Sequence, residues 1–265
     1  MIIHWGCSFI GKFRRQLVAA NLACQSARAQ VRICAGPVEW VMSVCLAADS
    51  QTQGKPQGGN EAVIMADRIL NNLCDYALSL AYGDLPDEVI ARTKLIVTDT
   101  IGCALGGAQS PPAKIARAAA AKVTSANPST VLFSGQKTSA DLAAFANGVM
   151  IRYLDFNDTY AGSPTCHPSD LLAPVLAVVD ANNGSGKDVI LGMVLGYEIL
   201  CGLIEAGTKE PGRDWDQSTY GVIAAAVVAA KLSGLGREQM ANAISLAVSS
   251  HISIEQIRRG QISHW

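Results

Sequence analysis

The chain is 265 residues long, 49% hydrophobic and 16% charged, with a formal net charge of -1. That much apolar side chain supports a substantial core in one large domain or two small ones, and the lack of surplus positive charge excludes phosphate-backbone binding as a main role. The cysteines (Cys7, Cys24, Cys34, Cys45, Cys74, Cys103, Cys166 and Cys201) include no CxxC pair and no zinc-like spacing, so they read as thiols in a reducing compartment.

Residues 1–64 differ in character from the rest of the chain. Lys12, Arg14, Arg15, Arg28 and Arg32 all precede the first acidic residue, Glu39, and a polar, Gly-rich stretch, "DSQTQGKPQGGNEA", closes the segment. Such a composition suits either a mitochondrial transit peptide or an extension with no fold of its own. Met65 then opens a patterned helix, so translation starting at Met1 or at Met65 fits equally.

Beyond Met65 the spacing predicts a succession of helices. Ile69, Leu70, Leu73, Ala77, Leu78 and Ala81 make one apolar stripe behind a cap at Asp67. In "LPDEVIARTKLIVTDTIGCALGG" Pro86 suits the first turn, Asp87 and Glu88 complement the helix dipole, and Gly106-Gly107 ends the element. Pro111-Pro112 begins a short helix running to Val123, "STVLFSGQKT" reads as a brief extended piece with a turn at Gly135, and Ser139 caps "ADLAAFANGVMIRYL". Pro168 and Ser169 start "SDLLAPVLAVVDANN", and two further helices in the last stretch are separated at Gly234-Leu235-Gly236. Between them Val189–Ala206 approaches the length of a membrane span, but Glu198 in its middle predicts a buried core helix and no membrane partner. The fold class expected is all-α, a layer of antiparallel helices.

One segment concentrates the polar chemistry of this charge-poor chain. "YLDFNDTYAGSPTCHPSDLLAPVL" holds Asp155, Asn157, Asp158, Thr159, His167, Ser169 and Asp170 between the end of one helix and the start of the next. Three readings compete. A histidine ahead of a helix N-terminus, close to carboxylates, suits general acid/base work. The same residue types also cap helices and make Asx-turns. Asp155, Asp158, Asp170 and His167 could hold a hard cation, although no HxH or HExxH pattern fixes a geometry. Cys166 beside His167 has no second histidine nearby to activate it as a nucleophile.

The motifs "DFNDTY" and "HPSD", together with "YALSLAYGDLPDEVIARTKLIVTDTIGCALGG", "AAFANGVMIRYLD", "WDQSTYGVIAAAVVAAKLSGLGREQMANAISLAV" and "RRGQISHW", occur in order from about Ala66 to Trp265. In this the chain resembles the MmgE/PrpD family, which contains 2-methylcitrate dehydratase, cis-aconitate decarboxylase and iminodisuccinate epimerase. The resemblance implies a helical domain over 65–265 and a cytoplasmic, homodimeric lyase that needs no cofactor and no metal. It also implies a small polycarboxylate substrate, 2-methylcitrate being the first candidate, with epimerisation, decarboxylation or an inactive dimerisation fragment as alternatives. By position, Asp155, Thr159 and His167 would be catalytic, and Asp158, Asp216 and Arg258 would bind substrate. Where decarboxylase-like members carry a histidine this chain has Asp216. The family's "SxW" element is followed by an active-site lysine and an α/β lid domain, while this chain ends at Trp265, so the resemblance implies an incomplete domain that binds little substrate alone. If the leader is a transit peptide, the location implied becomes the mitochondrial matrix.

Overall fold

The computed structural model describes residues 67–162, 164–207, 215–251 and 253. The leader and Arg258 lie outside the described residues. Within them the chain forms eight α-helices: α1 (Arg68–Ser79), α2 (Asp87–Gly107), α3 (Pro111–Ala120), α4 (Ala140–Arg152), α5 (Leu172–Ala181), α6 (Gly186–Gly207), α7 (Gln217–Leu232) and α8 (Arg237–Ser250). A two-stranded antiparallel sheet, β1 (Ser129–Thr130) and β2 (Lys137–Thr138), is the only sheet among the described residues, and the all-α reading therefore holds.

Local signals set the helix ends. Asp67 caps α1 by accepting from the Leu70 amide at 2.9 Å, and Ser110 caps α3 by accepting from Ala113 at 3.3 Å. Pro86 occupies the N-cap of α2, ahead of Asp87 and Glu88. Ser139 sits at the N-cap of α4 without a side-chain cap bond, and its hydroxyl, near Asp141, draws that carboxyl down. The expected stripe of α1 is only half realised, because Leu73 and Ala77 are buried while Ile69 and Leu78 are exposed. Helix α3 stops at Ala120, short of Val123, where the chain turns toward the hairpin.

The hairpin is fixed by buried polar side chains, each with a partner. Ser129 donates to the Ala177 carbonyl at 2.6 Å, and Thr138 donates to the Ala120 carbonyl at 2.8 Å. The fully buried Asn147 of α4 accepts from Leu132 N at 2.9 Å and donates to Thr130 O at 3.1 Å. These bonds satisfy backbone that the short strands leave open.

At the centre, α4 packs on α2 and α5, and α7 packs on α6, α8 and α5. Helix α2 crosses the end of α4 at very close range, since a Cβ on Gly107 would lie 2.2 Å from the Met150 carbonyl oxygen. Helix α6 is long and apolar enough to cross a membrane by length and composition, and 61% of its apolar window is buried inside the molecule, as a core helix requires. Glu198 in its middle accepts a long hydrogen bond, 3.4 Å, from Tyr76 of α1, and burial pushes its carboxyl up to about 7.

Candidate active site

The end of α4 and the beginning of α5 meet at the polar segment. After Arg152 the helix terminates, and Asp155 adopts a left-handed backbone, φ 49°, with its amide donating to Arg152 O at 3.0 Å. An aspartate tolerates this conformation better than most residues, but it still costs on the order of 1 kcal/mol. The chain returns through an isolated antiparallel bridge between Tyr160 and Cys166. A short 3-10 turn, Pro168–Leu171, then leads into α5, with His167 at its N-cap position.

Arg152 organises the exposed side of the segment. Its Nη2 lies 2.7 Å from Asp155 Oδ1, its Nη1 donates to Asn157 Oδ1 at 2.6 Å, and its Nε is 3.6 Å from Asp170 Oδ1. Asn157, itself buried, donates from Nδ2 to Ser169 Oγ at 2.8 Å and to Asp170 Oδ1 at 2.9 Å. Both ends of the polar segment are therefore stitched together through one arginine and one amide. Desolvation pushes the Asp170 carboxyl up to about 7, against the pull of Arg152 and Asn157. Its side chain keeps 42% of its surface open, so one flank of this carboxyl still meets solvent.

His167 is 15% exposed at its side chain and is held from behind. Its Nδ1 lies 2.8 Å from the main-chain oxygen of Asp158. A carbonyl oxygen can only accept, so Nδ1 carries the proton and the neutral ring keeps its lone pair on Nε2. That nitrogen faces Asp155, whose Oδ1 is 3.8 Å away, too far for a direct hydrogen bond. Thr159 is half-buried in the same loop. The structure thus brings Asp155 and His167 together, with Thr159 next to Asp158 in the chain.

Asp158 and Asp216 face differently. Asp158 is 5% exposed, and both carboxylate oxygens are engaged inside the protein: Oδ1 accepts from the Ser169 amide at 3.0 Å and Oδ2 from the Tyr197 hydroxyl at 2.6 Å. Asp216 is 3% exposed and caps α7, accepting from Ser218 N at 2.9 Å and Ser218 Oγ at 2.7 Å. Cys166 is 1% exposed, while a hydrogen bond with Cys166 and then burial push the neighbouring Cys201 thiol far up, keeping it protonated. Among the described residues no three His, Cys, Asp or Glu side chains come together as a metal ligand set.

Arg152 and Tyr197 escaped the sequence reading. The first stands three residues before Asp155 and five before Asn157, a spacing that a helix end can bring together. The second lies in the apolar run of α6, where nothing local marks it as a partner of Asp158.

Comparison with known proteins agrees with the residue pattern. The family model described as the MmgE/PrpD N-terminal domain matches residues 71–265. The chain is 33% identical over 181 residues to the cis-aconitate decarboxylase of Homo sapiens, covering 64% of this chain and 37% of that protein. It is 33% identical over 194 residues to the 2-methylcitrate dehydratase of Escherichia coli O157:H7, covering 68% of this chain and 39% of that protein. To the mitochondrial 2-methylcitrate dehydratase of Yarrowia lipolytica it is 31% identical over 211 residues, covering 72% and 39%. The chain thus spans well under half the length of these relatives.

Proposed function

Because the chain belongs to the MmgE/PrpD family, we propose that it forms the helical part of a lyase that removes water from a small hydroxy-polycarboxylate such as 2-methylcitrate, without a metal. His167 is the base. Its Nε2 takes the proton from the carbon beside a substrate carboxylate, the C–H electron pair becomes the new C=C bond, and the hydroxyl leaves from the adjacent carbon. The imidazolium returns that proton to the departing hydroxyl, water leaves, and His167 is restored.

Asp155 faces the imidazolium and stabilises it while the proton is held there, and Thr159 orients a carboxylate or hydroxyl of the substrate. Arg152 holds Asp155 in place through the 2.7 Å contact. Asp158 acts from beneath, through its main-chain oxygen. The observation that carries this reading is the 2.8 Å contact between His167 Nδ1 and Asp158 O, which leaves a single basic nitrogen directed at Asp155.

Decarboxylation of a related polycarboxylate is the second reading, favoured by the likeness to the human enzyme. Asp216 counts against it, because its carboxylate is committed to the N-terminus of α7. A panel of hydroxy-acids and unsaturated acids, offered to the protein carrying this chain, tests both: ultraviolet absorbance of an unsaturated product from 2-methylcitrate supports dehydration, and CO2 release from cis-aconitate alone replaces it with decarboxylation.

A further inference from the structure

Helix α6 sends Tyr197 toward Asp158 of the polar segment from the core side. Tyr197 is 5% exposed, and its hydroxyl donates to Asp158 Oδ2 at 2.6 Å. The other oxygen of the same carboxylate accepts from Ser169 N at 3.0 Å, two residues beyond His167 in the turn that His167 begins. Asp158 is therefore clamped between a core helix and the turn carrying the imidazole. Its main-chain oxygen meets His167 Nδ1 at 2.8 Å.

We propose that Tyr197 is a positioning residue for His167: by anchoring the Asp158 carboxylate it holds that residue's carbonyl against Nδ1–H, so that Nε2 remains the lone-pair nitrogen on the Asp155 side. This rests on the reading of His167 as the base. Three features argue for it. The tyrosine and the aspartate are both sealed from solvent, so no water replaces the phenol when it is removed. The anchor comes from the core helix α6, and the turn between residues 167 and 171 packs directly on that helix. Burial, then the charge of Asp158, pushes the Tyr197 hydroxyl far above the ordinary phenol range, so it stays a donor throughout the working pH range.

A purely structural tyrosine would also destabilise the fold when truncated, so the test reads the ring. Imidazole nitrogen shifts of the 15N-labelled chain, assigned by the signal lost in His167→Ala, report which nitrogen carries the proton. In the unaltered chain the neutral ring of His167 should show protonated Nδ1 and bare Nε2. In Tyr197→Phe the two nitrogen shifts should converge, as in a mixture of tautomers. Tyr76→Phe, which removes a tyrosine–carboxylate bond to Glu198 elsewhere on α6, should leave the His167 ring unchanged.

Should Tyr197→Phe fail to fold, Asp158→Asn serves instead. Its amide oxygen can still accept from Ser169 and its nitrogen can donate to Tyr197, so the tautomer should persist there and be lost in Asp158→Ala. A Tyr197→Phe chain that folds with the His167 tautomer intact overturns the proposal, and so does an equal change in Tyr76→Phe. The ring measurement needs no substrate, so it stands or falls separately from the lyase assignment. In the protein carrying this chain, if it proves to be a lyase, Tyr197→Phe should lower kcat about tenfold with KM nearly unchanged, since a misdirected base is felt in the transition state.

Discussion

Arg152 and Asp155 form a contact of 2.7 Å across the last turn of α4, and the same guanidinium holds Asn157 at 2.6 Å. The aspartate is 72% exposed at its side chain, so the pair itself adds little stability, at most about 1 kcal/mol. Its worth lies in direction: the guanidinium turns Asp155 toward His167 and fixes the buried amide that joins Ser169 to Asp170.

Arg152→Met should therefore cost about 1–2 kcal/mol of stability, mainly through the Asn157 bond, and, in the protein carrying this chain, lower the proposed lyase rate by roughly tenfold or more. Arg152→Lys should not restore the rate, because a single ammonium nitrogen cannot span Asp155, Asn157 and Asp170 as the three nitrogens of the planar fork do. Thermal unfolding and kcat measured on both variants check this, and a fully active lysine variant would show that only the charge matters.

Stability should fall as pH rises toward neutrality. Burial raises the Glu198 carboxyl from 4.5 to about 7, so the folded state binds a proton that the unfolded chain has released; Asp170, 42% exposed at its side chain, adds less in the same sense. The stabilisation is full below about pH 4 and is lost as pH passes through about 7. Asp141, Asp180 and Asp188 are lowered by their hydrogen bonds and act in the opposite sense, their contribution being lost as pH falls below the ordinary carboxylate range. Glu198→Gln should gain on the order of 1–2 kcal/mol at pH 8 and little at pH 4, measured by urea unfolding at both pH values. No gain at pH 8 would mean that Glu198 is ionised without penalty.

Two glycines of α2 should behave oppositely. A methyl group at Gly107 meets the Met150 carbonyl at 2.2 Å, so Gly107→Ala forces α2 and α4 apart and should cost about 2–4 kcal/mol. Gly102 has nothing within 4 Å of a Cβ, and Gly102→Ala should be neutral or stabilise by about 0.5–1 kcal/mol. Equilibrium unfolding of the pair measures the difference directly.

Asp216→Ala should lose about 1–2 kcal/mol as an N-cap removal, while Asp216→Asn, which can still accept from Ser218, should stay within about 0.5 kcal/mol of the parent. A substrate-contacting role would instead show as a large rise in KM for the asparagine variant with stability unchanged.

The helices were legible in the sequence wherever short-range chemistry specified them. Asp67, Pro86, Pro111-Pro112 and the Gly234–Gly236 break all act within a few residues of the ends they set. The meeting of Asp155 and His167 was legible as well, because a helix end and the next helix start must approach when the connection is short. What the sequence could not show was which aspartate of "DFND" turns inward. That choice depends on Tyr197, 39 positions away in the chain, and on the turn at Ser169. The same distance hid the tyrosine, which reads as part of an apolar run. Ser139 stands at the N-cap of α4 as its position in the sequence suggests, but makes no side-chain bond to the helix amides.

The role of His167 is decided by the turnover of a hydroxy-polycarboxylate by the protein carrying this chain, compared with its His167→Ala variant. With His167 as the base, kcat should drop by roughly 10²- to 10⁴-fold while the fold is kept. A folded His167→Ala protein that dehydrates its substrate at the parental rate would contradict that role and the mechanism built on it.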